Sequence, residues 1–80
     1  MATKNITSPL PGIFYRKSSP DNPPYILEGA HVNEGDIIGL IEIMKTYYEV
    51  KSDTTGTVKN FLVEHGDNVT AEQVLVEITT

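Results

Sequence analysis

Eighty residues carrying six Lys+Arg against eleven Asp+Glu, a net charge of −5, describe one small domain with a modest core. The acid excess argues against nucleic acid, whose phosphates need clustered cations, and the absence of cysteine excludes disulfides and thiolate metal cages. The Met1–Asn5 lead has no apolar segment behind it and the longest apolar stretch, Ile37–Met44, is far too short to span a bilayer, so no membrane contact and a cytoplasmic setting are expected.

Residues 1–5 are expected to be flexible, and Lys4–Thr7 is a weak strand candidate. A turn signal, Pro9-Leu10-Pro11-Gly12, precedes the β-branched and aromatic run Ile13–Arg16. The next segment, Lys17–Tyr25, has three prolines in nine residues, which oppose a central strand and stiffen a surface insertion. After Asn33-Glu34-Gly35-Asp36 come Ile37–Ile43 and Tyr47–Val50; after Asp53-Thr54-Thr55-Gly56 comes Thr57–Val63. His65-Gly66-Asp67-Asn68 precedes Val74–Ile78, with a helical turn expected over Thr70–Gln73. Short strands at this spacing predict a single all-β sandwich or barrel over 1–80.

The stretch Ile37–Ser52 must reverse direction. As one strand it would run roughly 50 Å at about 3.3 Å per residue, against a radius of gyration near roughly 12 Å for a domain of this size. As a helix it would be apolar on nearly every side and heavy in β-branched residues. Lys45-Thr46 is the only polar break between its two apolar arms, and a two-residue turn at Met44-Lys45 pairs Ile43 with Thr46 and Glu42 with Tyr47. Tight hairpins favour Asn-Gly or Asp-Gly because they need positive φ, which Met and Lys tolerate poorly. A local rule broken at one spot marks a candidate functional site. Tyr47 and Tyr48 fall on opposite faces of the returning strand, one expected in the core and the other free to flank the turn.

The chain also repeats itself. Ser8-Pro-Leu-Pro-Gly12-Ile-Phe is similar to Ser52-Asp-Thr-Thr-Gly56-Thr-Val, and Gly29-Ala-His-Val32 with Ile38 and Ile41 is similar to Gly66-Asp-Asn-Val69 with Leu75 and Ile78. The halves share one plan, the first carries an insertion within Lys17–Tyr25, and Met44-Lys45 falls at their junction. A pseudo-twofold flattened sandwich follows. His31 and His65 show no metal-ligand spacing or nucleophile–base pairing, and no phosphate loop is present, so the chain looks unequipped for catalysis on its own.

Glu42-Ile43-Met44-Lys45-Thr46 resembles the Glu-Ala-Met-Lys-Met attachment motif of biotin carboxyl carrier proteins. The resemblance extends through Ser8–Arg16, Val32-Asn-x-Gly-Asp36, Ser52-Asp-x-x-Gly-Thr-Val58 and Leu62-Val-Glu64. The insertion, with its Ser19-Pro20-Asp21 core, is similar to the protruding thumb of the acetyl-CoA carboxylase type. This resemblance implies a barrel-sandwich hybrid of two four-stranded antiparallel sheets with biotin joined to Lys45. It further implies a non-catalytic carrier that a biotin protein ligase modifies and that moves a carboxyl group from biotin carboxylase to a carboxyltransferase. Met44 and Glu42 would help the ligase recognise the hairpin. The thumb residues Ser18, Ser19, Pro20, Asp21, Asn22, Pro23, Pro24 and Tyr25 would lie near the biotin ring. Ile43 and Thr46 depart from the family's Ala and Met, which points to a divergent carrier whose acyl acceptor need not be acetyl-CoA. Two other readings compete: an unmodified interaction module on the same fold, and a lipoyl carrier, which would place Asp before the lysine and Ala after it.

Overall fold

The structure, a computed structural model, describes residues 2–80. Eight strands run β1 (Thr3–Thr7), β2 (Gly12–Tyr15), β3 (His31–Val32), β4 (Ile37–Ile43), β5 (Thr46–Lys51), β6 (Gly56–Phe61), β7 (Asn68–Val69) and β8 (Val74–Thr79). They form two four-stranded antiparallel sheets, ordered β1-β8-β6-β3 and β5-β4-β2-β7. The radius of gyration is 11.6 Å and the longest dimension 38 Å, too short for an unbroken strand over Ile37–Ser52.

Exchanging β1 with β5, β2 with β6, β3 with β7 and β4 with β8 converts one sheet order into the other. Each repeat therefore gives two strands to each sheet, and the pseudo-twofold read from the sequence is present in the topology. The inner faces meet in one core of Ile6, Phe14, Val32, Ile38, Ile41, Val50, Val58, Val63, Val69, Leu75, Val76 and Ile78. Most of these are β-branched, which suits the pleated surface they cover. Gly12 and Gly56 match across the repeat because another backbone passes close to each. A Cβ would come 2.5 Å from the Glu42 carbonyl oxygen at Gly12 and would collide with that of Thr79 at Gly56.

Three expectations change. Flexibility over 1–5 does not hold for Thr3, Lys4 and Asn5, which pair with Thr79, Ile78 and Glu77; Met1 lies outside the described residues. The gain is backbone satisfaction, since β8 would otherwise leave a row of polar groups unpaired along this edge. Thr70–Gln73 is a β-turn closed by the Gln73 amide on the Thr70 carbonyl, not a helical turn, because Glu72 has φ 68. Finally, β3 and β7, of two residues each, were too short to register as alternating patterns.

Candidate functional site

The hairpin β4–β5 turns at Met44-Lys45 in the register expected, with Ile43 opposite Thr46 and Glu42 opposite Tyr47. Met44 has φ 49 and Lys45 φ 67. Positive φ at both central residues is what a type I′ turn demands, and it normally recruits Asn and Gly. Two bulky residues held there by a seven-residue and a six-residue strand place the lysine at a rigid tip. Lys45 is exposed, Met44 is 92% exposed, and among the described residues Lys45 makes no hydrogen bond or ion pair through its side chain. Thr46 is exposed beside them. The site presents a primary amine with nothing competing for it.

Behind the tip, Glu42 is half-buried and accepts a hydrogen bond from the Tyr15 hydroxyl at 2.8 Å. Tyr15 reaches it from β2, whose Ile13 pairs with Glu42. That bond, with burial and the repulsion of a nearby negative charge on Glu42, holds the Tyr15 phenol above its ordinary range. Tyr47 packs its ring 6.2 Å from that of Tyr15. Neither returning tyrosine enters the core: Tyr47 is 58% and Tyr48 43% exposed. Their strand is the sheet edge, and the Tyr48 position has no neighbour beyond it to close over the ring.

The insertion folds back as a thumb. The Tyr25 amide donates to the Arg16 carbonyl at 2.9 Å and closes its neck, while Ser19-Pro20-Asp21-Asn22 forms a turn through the Asn22 amide and the Ser19 carbonyl. Pro20 sits where a turn favours a fixed φ. The Asn22 side-chain amide also donates to the Ser18 hydroxyl. At the root, the Arg16 guanidinium lies 3.9 Å from the centroid of the Phe61 ring, a cation–π contact that ties thumb to sandwich. The Arg16 backbone N–H donates to His65 Nδ1 at 3.0 Å, and the His65 ring meets Tyr15 edge-on at 5.2 Å.

Between the thumb and the sheet lies a cleft of about 170 Å³ lined by Tyr15, Lys17, Ser18, Ser19, Pro20, Leu40, Tyr47 and His65. Of the residues singled out in the sequence, Ser18, Ser19 and Pro20 line it; Asp21, Asn22, Pro23, Pro24 and Tyr25 do not. Met44, Lys45, Thr46 and Glu42 lie outside it as well, Glu42 joining it only through Tyr15. Tyr15, Leu40 and His65 were not read as site residues. The Tyr15–Glu42 and Arg16–His65 bonds span 27 and 49 positions, and no local pattern signals either.

The strand-exchanged sandwich thus offers a lysine on a two-residue hairpin with positive φ at both central residues. A family profile described as "Biotin-requiring enzyme" matches residues 4–78, and the chain belongs to that family. It is 40% identical over 74 residues to the biotin carboxyl carrier protein of acetyl-CoA carboxylase from Cyanidium caldarium, covering 92% of this chain and 49% of that one. The protein of the same description from Pseudomonas aeruginosa is 36% identical over 73 residues, covering 91% of this chain and 47% of its own length. The chain thus spans about half the length of these two relatives. In structure it is similar to part of the urea carboxylase of Kluyveromyces lactis, with a TM-score of 0.79 and 28% identity over 99% of this chain and 6% of that one.

Proposed function

We propose that this chain is a biotin carboxyl carrier domain and that Lys45 is its attachment residue. The observation that carries this reading is the hairpin itself: positive φ at both Met44 and Lys45, at the tip of the longest strand pair, with the amine free. Such a turn costs roughly 1–2 kcal/mol per non-glycine residue, a cost with no return in packing, since both side chains point away from the core. An enzyme that must grip the turn and reach the amine gives it a reason.

The residues fit the group. A biotin protein ligase would join the biotin carboxyl carbon to Lys45 Nζ, with AMP leaving biotinyl-AMP and the ammonium's protons passing to the ligase or water. Attached biotin supplies a ureido nitrogen that takes up and releases a carboxyl group. This chain's own residues do the rest: β4 and β5 hold the tip, Met44 and Thr46 flank the amine as ligase contacts, and the Tyr15 bond fixes Glu42 for the same recognition. The names of the relatives support acetyl-CoA carboxylase as the enzyme served, with biotin carboxylase and a carboxyltransferase as the partners between which the arm moves. The domain contributes attachment and reach, and the catalysis belongs to those partners.

Intact mass and peptide mapping after co-expression with a biotin ligase and excess biotin test the assignment. One biotin on Lys45 is expected. A chain that takes none from a heterologous ligase and none from its own organism's ligase is an interaction module instead.

A further inference from the structure

Each repeat caps the end of one strand in the same way. Gly29, with φ 87, donates its amide to the Val58 carbonyl, and Gly66, with φ 91, donates to that of Phe14, both at 2.7 Å. The amides of Val58 and Phe14 return bonds to the carbonyls of Ala30 and Asp67. The residue before each glycine then takes the strand's next free N–H with its side chain. Glu28 Oε2 accepts the Phe61 amide and His65 Nδ1 the Arg16 amide, each at 3.0 Å. Phe61 and Arg16 are themselves equivalent positions. Val58 pairs with Ile78 as Phe14 does with Ile41, and Asn60 with Glu77 as Tyr15 does with Leu40, the bulge after Val58 absorbing one residue.

One position therefore has one task and two chemistries. A carboxylate accepts throughout the neutral and mildly acid range, whereas an imidazole accepts only while neutral and changes charge between about pH 5 and 8. A backbone N–H can only donate, so Nδ1 is the unprotonated nitrogen and the ring carries its proton on Nε2. A second proton must go to Nδ1, and two N–H groups would then face each other.

What this cap holds is the thumb. Among the described residues no hydrogen bond joins 17–24 to either sheet: Asn22 bonds to Ser18 and Ser19, and Tyr25 closes the neck on the Arg16 carbonyl. The ties to the sandwich pass through Arg16, by its guanidinium over the Phe61 ring and its N–H on His65. Pro20, Pro23 and Pro24 stiffen the thumb, so slack at Arg16 moves it as one piece. His65 cannot follow, because Phe14 pins its turn through the Gly66 amide and the Asp67 carbonyl.

We propose that His65 is a proton-operated latch on the thumb. Neutral, it fixes Arg16 and holds the thumb beside Tyr15 and Tyr47; protonated, it lets the thumb swing away. The titratable and charged groups around the ring are Tyr15 from β2 with Glu42 bonded behind it, Tyr47 from β5, Arg16 and Lys17 at the thumb root, and Glu64 and Asp67 in its own turn. Groups of those types keep their ordinary charge between about pH 5.5 and 8, which leaves the imidazole to operate the latch. The device belongs to the fold and acts whether Lys45 is acylated or bare.

The unmodified chain tests it, by ¹⁵N relaxation and ring ¹⁵N shifts at about pH 8 and about pH 5.5. The Ser18, Ser19, Asp21 and Asn22 amides should be rigid at the higher pH, with order parameters near roughly 0.85, and fall below about 0.6 at the lower. Their change should follow the midpoint of the His65 ring and not that of His31. His65→Glu, which imports the cap of the other repeat, should keep the thumb rigid at both pH values, and His65→Ala should leave it mobile at both. A thumb equally ordered at the two pH values, loosening that tracks another group, or loosening of His65→Glu like that of the wild type would overturn the proposal. Each of those outcomes leaves the carrier reading standing, since that is decided by the mass of the chain after biotinylation.

Discussion

Ser8 and Ser52 occupy one position twice: each is buried, at 0% and 2% exposure, and each hydroxyl donates to the carbonyl two residues ahead, Leu10 at 2.5 Å and Thr54 at 2.6 Å. The equivalence continues through the backbone. The Ser52 amide donates to the Asp36 carbonyl and the Ser8 amide to that of Gln73, while Gly35 and Glu72 donate back to Ser52 and Ser8, both at 2.7 Å. Two corners of the sandwich thus share these bonds, and the Ser52 hydroxyl alone also accepts from the Thr54 amide, at 3.3 Å.

Either serine replaced by alanine removes a part-buried hydrogen bond, which costs about 0.5–1.5 kcal/mol. The two losses should be of similar size, because the shared bonds match, with Ser52→Ala the costlier by the weak Thr54 amide bond. Urea unfolding of Ser8→Ala and Ser52→Ala checks this, and a large difference between them would show that the corners are alike only in outline.

Gly35 and Glu72 hold the same place in the two turns, with φ 93 and φ 68. Only the first uses the residue type that adopts this conformation freely. Glu72→Gly should raise stability by about 0.5–1 kcal/mol, or roughly 4 °C in Tm for a domain of this size. Gly35→Ala should lower it by about 1–2 kcal/mol. Calorimetry of both variants reads the pair.

Lys45→Ala should abolish biotin incorporation and leave the far-ultraviolet circular dichroism unchanged, because the side chain is exposed and unbonded. Lys45→Gly should go further, abolishing labelling while raising stability by about 1 kcal/mol through relief of positive φ. Streptavidin blotting beside thermal melts separates the two effects. Residual labelling of either variant would place the attachment elsewhere.

The raised Tyr15 pKa gives a sign for alkaline pH. Its hydrogen bond to Glu42 needs the protonated phenol, so the folded state binds that proton more tightly than the unfolded chain. The stability this contributes is fully present below the unfolded phenol's pKa and is lost as pH rises through the higher folded value. Glu42→Gln removes the charge and should bring the Tyr15 titration back down. A difference ultraviolet titration against Tyr15→Phe isolates the residue, and an unmoved midpoint would deny the Glu42 coupling.

Fold class and hairpin were legible because each is forced locally. Alternating β-branched runs between turn residues leave little but strands, and Ile37–Ser52 is too long to lie straight in so small a body. The repeat was legible because Ser8 and Ser52 face one physical requirement twice. The cleft was not. It arises where Tyr15, Lys17 and His65 converge from three segments, and His65 acts through its ring nitrogen on the Arg16 backbone, which no side-chain pattern encodes. The tyrosines misled because alternation assigns faces but cannot tell an interior strand from an edge.

The interleaving of the two repeats also sets an order of events. β1 pairs only with β8, so Thr3 waits for Thr79, and β3 pairs only with β6. During synthesis the first repeat can finish no sheet, and within this domain β1 is completed only by β8. Acquisition of the domain's native state is therefore a late closure between strands far apart in sequence, the long-range kind that proceeds slowly. Severing the chain at Met44-Lys45 would yield two fragments that are each unfolded alone and structured only when mixed.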